Sequence, residues 1–286
     1  MREYHVLNLG AGVQSTALYL LAREGKLRFD AAIFADTGDE PAAVYRHLDW
    51  LRSLGDPPIW VRSRGRLGDA LLGGVNATGQ RFVSIPAFVA EDHATRPRFC
   101  AGVKAGMVRR QCTREFKIAV VEKAIRYELV GLKPRQRMPK DVRVIQHFGI
   151  TTDERRRADK AKKRFDKVRW ATPSYPFIEW GWSRQDCVAY LKDKVPHAVP
   201  KSACVFCPYR DNNSWEVLKL TDPEGWRRAV DIDRALREDG TRANKGLRGK
   251  LYLHRSCVPL PMVEFDSTRT PDAGGVGGEC EGMCGF

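Results

Sequence analysis

The stretch YHVLNLGAGVQST, residues 4–16, decides the fold of this chain. Its first part, Tyr4–Leu9, is a short run of β-forming residues that ends in Gly10-Ala11-Gly12. From Ser15 onward, apolar residues recur at the spacing of one helix face. Glycines let a backbone approach a bound anion, and the amides at a helix N-terminus favour negative charge. The stretch therefore predicts a strand, a phosphate-binding turn and a helix.

The segments that follow predict strands and helices in alternation. The strand candidates are Asp30–Ala35 (DAAIFA), Pro58–Val61 (PIWV) and Arg143–Ile150 (RVIQHFGI). Helical spacing follows Pro41 and returns over Lys117–Leu129. This order predicts an α/β fold, a Rossmann-like parallel sheet with helices on both faces. We predict three parts: a nucleotide-binding α/β domain over residues 1–180, a smaller, mainly helical cysteine-bearing region over 181–265, and a flexible tail over 266–286.

The positive charge of the chain is localised. The 286 residues carry a formal net charge of +14. Residues 61–170 hold 27 Lys and Arg against 11 Asp and Glu, whereas residues 171–286 hold 16 of each sign. A solvated helix face explains most basic runs, but a localised surplus of this size suits a polyanionic partner. We therefore predict that the basic 96–169 segment binds nucleic acid, either tRNA or DNA.

Composition also bounds the cellular setting. The 43% apolar content excludes a disordered chain, and the N-terminus lacks the long apolar core of a signal peptide. No apolar run approaches the length of about 18 residues that spans a membrane. These features predict a soluble cytoplasmic protein, with a homodimer as one option. Eight cysteines without an export signal favour metal or redox chemistry over structural disulfides.

The candidate phosphate loop matches neither of two common nucleotide motifs, because the third glycine of the dinucleotide fingerprint and the Gly-Lys-Ser/Thr of a Walker loop are both missing. GAGVQSTAL instead resembles the PP-loop of the adenine nucleotide α-hydrolase-like superfamily, and within it the phosphoadenosine phosphosulfate reductase family. That superfamily has Ser where this chain has Gly10, and usually Asp where it has Gln14. The resemblance implies that ATP, with Mg²⁺, binds Gly10, Ala11, Gly12, Val13, Gln14, Ser15 and Thr16.

Three further segments follow in the order of that family. They are Phe34–Pro41, similar to its Asp-Thr-Gly stretch, Gly149–Glu154, similar to its Gly-Ile stretch, and Tyr175–Trp180, similar to its Pro-Leu-x-x-Trp stretch. The resemblance implies that Asp36 lies near the adenosine of the nucleotide, with Thr37 and Gly38 shaping the turn.

The same resemblance implies a set of residues at the phosphates. Gly149 and Ile150 are expected to face the phosphates of the nucleotide. Arg157 follows this segment and is the preferred phosphate clamp, because a guanidinium can bind a phosphate in bidentate geometry. Lys117 is the second candidate.

The cysteines supply the other chemical signal. Cys204 and Cys207 form a C-x-x-C that presents two thiolates to one metal or cluster, and a redox dithiol is the competing interpretation. By resemblance to cluster-bearing sulfonucleotide reductases, Cys112 is the first cysteine of a Cys-Cys-x-x-x-Lys segment, with Thr113 in place of the second. We predict a four-iron four-sulfur cluster on Cys112, Cys204 and Cys207, with zinc as the alternative metal.

The fourth position of such a cluster is open to several interpretations. Cys257 is our first candidate for the ligand, and Cys280 or Cys284 would serve as well. Alternatively the fourth iron stays open and holds an exogenous sulfur atom, as in the tRNA thiolases of the superfamily. Cys280 is also the predicted catalytic nucleophile, because Glu279-Cys280 resembles the mobile Glu-Cys-Gly segment of the reductases. A tail held by a metal is the alternative.

Together these features predict an ATP-dependent sulfur transferase that adenylates and then thiolates a nucleic acid, with sulfur supplied by a donor such as a cysteine desulfurase. Lys117 and Arg157 would stabilise charge at the phosphates, and Cys280 would attack or carry sulfur. The first alternative is a phosphoadenosine phosphosulfate or adenosine phosphosulfate reductase that releases sulfite. The second is a non-enzymatic, cluster-bearing nucleic-acid binder.

Overall fold

A computed structural model describes residues 1–73, 85–90, 106–108, 110–238 and 249–265. Within these ranges the strands, in chain order, are β1 (Arg2–Leu9), β2 (Ala31–Asp36), β3 (Ile59–Ser63), β4 (Phe88–Ala90), β5 (Gly106–Met107), β6 (Val142–His147), β7 (Ala171–Ser174) and β8 (Lys250–Tyr252). The helices are α1 (Val13–Arg23), α2 (Ala42–Ser53), α3 (Leu67–Gly73), α4 (Ala119–Lys123), α5 (Arg155–Phe165), α6 (Pro176–Glu179), α7 (Arg184–Leu191), α8 (Asn212–Thr221) and α9 (Pro223–Arg237).

A five-stranded parallel sheet in the order β3-β2-β1-β6-β7 forms the centre of the molecule. The chain runs from β1 outward to β2 and β3 and later crosses to β6 and β7 on the other side of β1, so a topological switch point lies between β1 and β6. The predicted α/β fold with a Rossmann-like parallel sheet is confirmed. None of the helices in the described ranges would serve as a membrane span.

The two faces of the sheet bury separate cores, because successive side chains of a strand point to opposite faces. On one face, Leu7 and Phe34 pack with α1 and with Leu191 of α7. On the other face, Val6 and Val144 pack with the helical segment that contains α4. That segment begins with a π-helical turn, Thr113–Ile118, and ends with another, Ala124–Leu129. It corresponds to the helix that the sequence predicts over Lys117–Leu129.

The C-terminal region builds a further core beside the sheet. Trp215 of α8 and Ile232 of α9 are fully buried there, together with Leu67 and Leu71 of α3. A small antiparallel sheet in the order β5-β4-β8 lies next to α9. Because α7 packs on α1 and α3 packs with α9, side chains from both sides of the predicted boundary at residue 180 share cores. The predicted tail, residues 266–286, lies outside the described residues.

Asp222 links the C-terminal region to the central fold. Its carboxylate accepts a hydrogen bond from Gly225 N, at 2.9 Å, in the first turn of α9. The other oxygen accepts one from Ala42 N, at 2.9 Å, in the first turn of α2. Amides in the first turn of a helix have no partner within the helix, so one carboxylate here caps two helices.

Among the elements that the sequence does not predict are β7 and α5. The strand β7 contains Pro173, which interrupts the usual strand pattern and is tolerated because β7 lies at the edge of the sheet. The helix α5 reads RRRADKAKKRF, where seven of eleven residues are basic, and the sequence signals a charged run rather than a helix. Its apolar side is narrow, since only Ala158, Ala161 and Phe165 are buried.

Candidate active site

The residues predicted to bind a nucleotide gather at one edge of the sheet. Strands β1, β2 and β6 end at Leu9, Asp36 and His147, and because they are parallel their carboxyl ends lie side by side. The turn into α1, the β2–α2 loop and the loop after β6 all leave from this edge. In open α/β sheets ligands bind outside this edge at the switch point.

The turn into α1 is held in shape by one buried hydroxyl. Ser15 is fully buried, and its Oγ accepts hydrogen bonds from Gly10 N at 3.2 Å and from Gly12 N at 3.3 Å. Between them Ala11 adopts a left-handed conformation with φ of 57°, which is unusual for a residue with a side chain. Ser15 therefore organises the predicted phosphate loop from inside.

The remaining side chains of this loop contact the body of the fold. Val13 belongs to the apolar core beneath α1. Thr16 Oγ1 lies 2.8 Å from Nε2 of the buried His47 and ties α1 to α2. Burial lowers the pKa of His47 to about 4, with a smaller contribution from His197, so this imidazole is neutral at pH 7. The buried side chains of Val13, Ser15 and Thr16 thus hold the loop on the fold rather than face a ligand.

The loop after β6 touches the phosphate loop directly. A Cβ atom on Gly149 would lie 2.9 Å from the carbonyl carbon of Gln14 and 2.9 Å from Ser15 N. Atoms do not approach so closely without displacement, so this position requires glycine. The neighbouring Ile150 is buried in an apolar cluster with Phe148. Gly149 therefore lies against the predicted phosphate loop, whereas the side chain of Ile150 packs in the core.

Arg157 reaches the same edge through a carboxylate. Gln14 Nε2 donates to Glu154 Oε2 at 3.2 Å, and Arg157 forms an ion pair with the other oxygen of Glu154. The side chains of Arg157 and Glu154 are 14% and 16% exposed, so the pair is largely withdrawn from water. Gln14 Oε1 is also buried and accepts no hydrogen bond from any described residue. The predicted clamp is thus connected to the loop by Glu154, a residue without a role in the sequence prediction.

The loop after β2 is shaped by Asp36. Its Oδ1 accepts hydrogen bonds from Gly38 N at 2.8 Å and from the Tyr45 hydroxyl at 2.9 Å. Burial and the neighbouring Asp36 carboxylate raise the pKa of Tyr45, so the phenol keeps its proton. Gly38 has a φ of 72°, a conformation that favours glycine. The predicted trio of Asp36, Thr37 and Gly38 therefore forms one hydrogen-bonded turn.

A buried polar cluster lies behind this turn. Lys117 Nζ is 3.4 Å from Glu40 Oε1, and their side chains are 7% and 0% exposed. Thr37 Oγ1 donates to the same oxygen at 3.3 Å and lies 3.1 Å from Cys204 Sγ. The cluster joins a predicted clamp, Lys117, to a predicted metal ligand, Cys204. Its centre, Glu40, was missed, although it stands within the quoted Phe34–Pro41 segment.

Cys204 and Cys207 occupy a tight turn fixed to the β2–α2 loop. Cys207 N donates to Cys204 O at 3.0 Å, and Val205 N donates to Asp39 O at 2.8 Å. Arg210 is buried and its guanidinium donates to the carbonyls of Ala203, at 2.6 Å, and Cys204, at 3.2 Å. Arg210 is a second residue that sequence reasoning missed, and the signal would have been its place three residues after the C-x-x-C.

The electrostatics around Arg210 involve both sulfurs. Burial lowers the pKa of Arg210, while the nearby Cys207, Glu40 and Cys204 raise it. Arginine retains its proton under ordinary conditions, so the turn encloses a positive charge. A nearby cation of this kind favours the thiolate over the thiol.

The predicted metal ligands are only partly brought together. Cys112 and Cys207 pack against the apolar cluster that includes Cys204. Cys257 instead lies in a separate cluster with Ala90 and Tyr252. The described residues contain no group of three or more His, Cys, Asp or Glu side chains that could hold a metal ion. Cys280 and Cys284 lie outside the described residues, and so do residues 96–105 and 109 of the basic segment.

The β2–α2 loop also borders a cavity. It has a volume of about 510 Å³ and lies between this loop and the first turns of α9, next to Val205. Its walls carry both signs of charge, from Asp39, Glu40, Arg66, Asp222, Glu224, Arg227, Arg228 and Asp231. The volume is in the usual range for small-molecule sites.

No family model, no curated protein and no solved structure matches this chain. The resemblance to the PP-loop superfamily therefore stays a prediction that depends on the four motifs and their order.

The contact between Gly149 and the phosphate loop generates a prediction about stability. Gly149→Ala should lower the free energy of unfolding by about 1–3 kcal/mol, because the new methyl group displaces backbone atoms of Gln14 and Ser15. Urea denaturation followed by circular dichroism measures the change.

A matched control is Gly73→Ala at the end of α3, where a Cβ meets no atom within 4 Å. This variant should be neutral or slightly stabilising. Equal effects of the two substitutions would show that the loop after β6 does not press on the phosphate loop.

Proposed function

We propose that this protein binds ATP at the carboxyl ends of β1 and β6 and uses it to transfer sulfur to a nucleic acid. The observation that carries the proposal is the contact of Gly149 with Gln14 and Ser15, which brings two loops together at the switch point of a parallel sheet. Such crevices are the usual nucleotide sites of this architecture.

The phosphates would lie at the N-terminus of α1. This helix has eleven residues and no acidic residue in its first turn, and the positive end of its dipole favours an anion. Backbone amides and the helix dipole together favour an anion there. Arg157 and Lys117 each approach this edge as a partner of a carboxylate, Glu154 and Glu40 respectively. A bound triphosphate would compete with these carboxylates for the two cations.

The proposed reaction has two steps. An oxygen of the acceptor attacks the α-phosphorus of ATP, which forms an acceptor–AMP ester and releases pyrophosphate. A sulfur nucleophile at the oxidation level of sulfide then attacks the activated carbon and displaces AMP. The carbon exchanges a C–O bond for a C–S bond, so the acceptor is neither oxidised nor reduced. The positive charges of Arg157 and Lys117 would stabilise the charge that develops on the phosphates.

The thiols supply the connection to sulfur. Cys204 contacts Thr37 of the predicted adenosine-binding turn, at 3.1 Å between Sγ and Oγ1. This places a thiol at the same edge of the sheet as the phosphate loop. A persulfide on this cysteine, delivered by a donor such as a cysteine desulfurase, would be reduced by an external dithiol. The dithiol becomes a disulfide, Cys204 returns to its thiol, and the released sulfide is the nucleophile that attacks the activated acceptor.

The predicted iron–sulfur cluster has no step in this proposal. Cys204 is engaged with Thr37 and Glu40, and the described residues show no set of three candidate metal ligands. A cluster on Cys112, Cys204 and Cys207, or zinc in its place, stays a prediction, as does Cys257 as a further ligand. Mg²⁺ would arrive with the nucleotide and is assigned no ligand from the chain.

The helix α5 fits the proposed nucleic-acid acceptor. It starts at the Glu154–Arg157 pair, so its first turn borders the proposed phosphate site. Its exposed cations are Arg155, Arg156, Lys160, Lys162 and Lys163. Among the described residues, the ion pairs of this helix are Arg157 with Glu154 and Arg164 with Glu122. The exposed cations are thus available to the phosphates of an acceptor strand, which would lead toward the nucleotide.

Removal of the Arg157 charge should slow the activation step. For Arg157→Gln we expect nucleic-acid-dependent release of pyrophosphate from ATP to fall on the order of 100-fold, because a charge at the phosphates is lost. The assay is a coupled pyrophosphate measurement with total RNA or DNA as acceptor.

The control for this prediction is Arg164→Gln in the same helix, which also removes one member of an ion pair with a glutamate. It should leave the rate within about threefold, since Arg164 lies about two helical turns beyond Arg157 and pairs with Glu122 rather than with a residue at the phosphate loop. Sulfite released from a sulfonucleotide without ATP would contradict the transferase and favour the reductase.

Neutralisation of α5 should weaken acceptor binding without affecting the nucleotide. For the triple variant Lys160→Gln, Lys162→Gln, Lys163→Gln we expect the logarithm of the binding constant to fall less steeply with the logarithm of the salt concentration. The slope should be smaller by about 0.9 per lost cation on duplex DNA, or by about 0.7 on single strands. Fluorescence anisotropy with labelled RNA and DNA at several salt concentrations gives the slope.

A matched control replaces three exposed cations elsewhere, Arg28, Arg52 and Lys192, with Gln. The net charge is the same in both variants, so a general charge effect would lower both affinities equally. Equal losses would therefore reject α5 as the docking surface.

A further inference from the structure

We infer that Cys204 and Cys207 are a reversible dithiol–disulfide couple that exchanges with an external thiol or disulfide. The inference does not depend on the proposed function, because it concerns the turn alone and needs neither ATP nor a nucleic acid. It is carried by the geometry of the turn, by the groups that hold it and by the different exposure of the two sulfurs.

The turn brings the two cysteines within reach of each other. The hydrogen bond from Cys207 N to Cys204 O, at 3.0 Å, closes a four-residue turn. The first and last Cα atoms of such a turn are less than about 7 Å apart. Disulfides span Cα separations of about 4.4–6.8 Å. A bond between the sulfurs therefore requires little movement of the backbone.

The turn is held in place on several sides. Arg210 donates to the carbonyls of Ala203 and Cys204, and Val205 N donates to Asp39 O. The side chain of Phe206, between the cysteines, is fully buried in the core of the C-terminal region. Since these contacts use backbone groups and the central residue, neither oxidation nor reduction of the sulfurs breaks them.

The two sulfurs differ in exposure. Cys204 is 7% exposed, whereas Cys207 is half-buried. An external partner therefore meets Cys207 first, and Cys204 is placed to resolve the mixed disulfide. The surroundings of Cys204 are a hydroxyl and a carboxylate, Thr37 and Glu40, which are hydrogen-bonding partners of a thiol.

A small external disulfide can oxidise the two thiols in two exchange steps. The thiolate of Cys207 attacks one sulfur of the external disulfide, so its S–S bond breaks and one external thiolate leaves. The thiolate of Cys204 then attacks Cys207 Sγ, which releases the second external thiolate. The dithiol loses two electrons to the external disulfide, and an external dithiol returns them by the reverse route.

Oxidation would alter the buried polar cluster. Cys204 Sγ donates to Glu40 Oε1 at 3.6 Å, and a disulfide sulfur has no proton to donate. Among the described residues, that oxygen of Glu40 would then keep Thr37 and Lys117 as its partners. The redox state of the turn is thus coupled to Lys117 through Glu40.

The test uses the full chain, without nucleotide, in buffers of reduced and oxidised glutathione. After acid quenching and alkylation, peptide mass spectrometry identifies each thiol and each disulfide. We expect a Cys204–Cys207 disulfide that forms in glutathione disulfide and is fully reversed by dithiothreitol. Cys187, which is fully buried in the core of the sheet, should stay reduced and alkylatable after unfolding in both buffers.

The peptide map of the wild-type protein shows by itself whether the Cys204–Cys207 disulfide forms. A second measurement compares Cys207→Ser with Cys187→Ala as its control. Cys207→Ser should abolish reduction of glutathione disulfide by this turn, whereas Cys187→Ala should leave it unchanged. A disulfide that joins Cys207 to Cys112 instead, or the absence of any disulfide at Cys204, would overturn the inference. So would iron or zinc bound stoichiometrically and lost in Cys207→Ser.

Discussion

The arrangement of the site depends on one buried carboxylate, Asp39. Its side chain is fully buried at the end of the β2 turn, and it accepts hydrogen bonds from Gly68 N at 2.7 Å, from Arg66 and from Arg228. Burial of a carboxylate is unfavourable unless charges and amides compensate it. These partners come from the start of α3 and from α9, so the compensation of one charge fixes two distant segments on the edge of the sheet.

The backbone of Asp39 extends the same constraint to the cysteines. Its carbonyl accepts from Val205 N at 2.8 Å, which holds the Cys204–Cys207 turn against the β2–α2 loop. The next residue, Glu40, joins that turn to Lys117 through the buried polar cluster. Two consecutive residues of one loop, Asp39 and Glu40, therefore connect the proposed nucleotide site to the thiols.

Sequence reasoning succeeded where a local pattern determines the structure. The strand of Tyr4–Leu9 and the turn after it follow from the spacing of the apolar residues and from the signals that start a helix. It failed where partners are distant in the chain. Glu40 and Arg210 read as ordinary charged residues, and only the packing of the C-terminal region on the β2–α2 loop buries them. The helix α5 was missed for another reason. Three buried side chains hold it on the fold, although its charge pattern suggests a fully solvated run.

Hydrogen–deuterium exchange with and without ATP and Mg²⁺ can show whether a nucleotide binds at the carboxyl ends of β1 and β6. With the nucleotide bound, we expect slower exchange for the amides of residues 10–16 and 149–152, which surround the contact of Gly149 with the phosphate loop. Protection confined to the cavity between the β2–α2 loop and α9, or no protection at either loop, would contradict it.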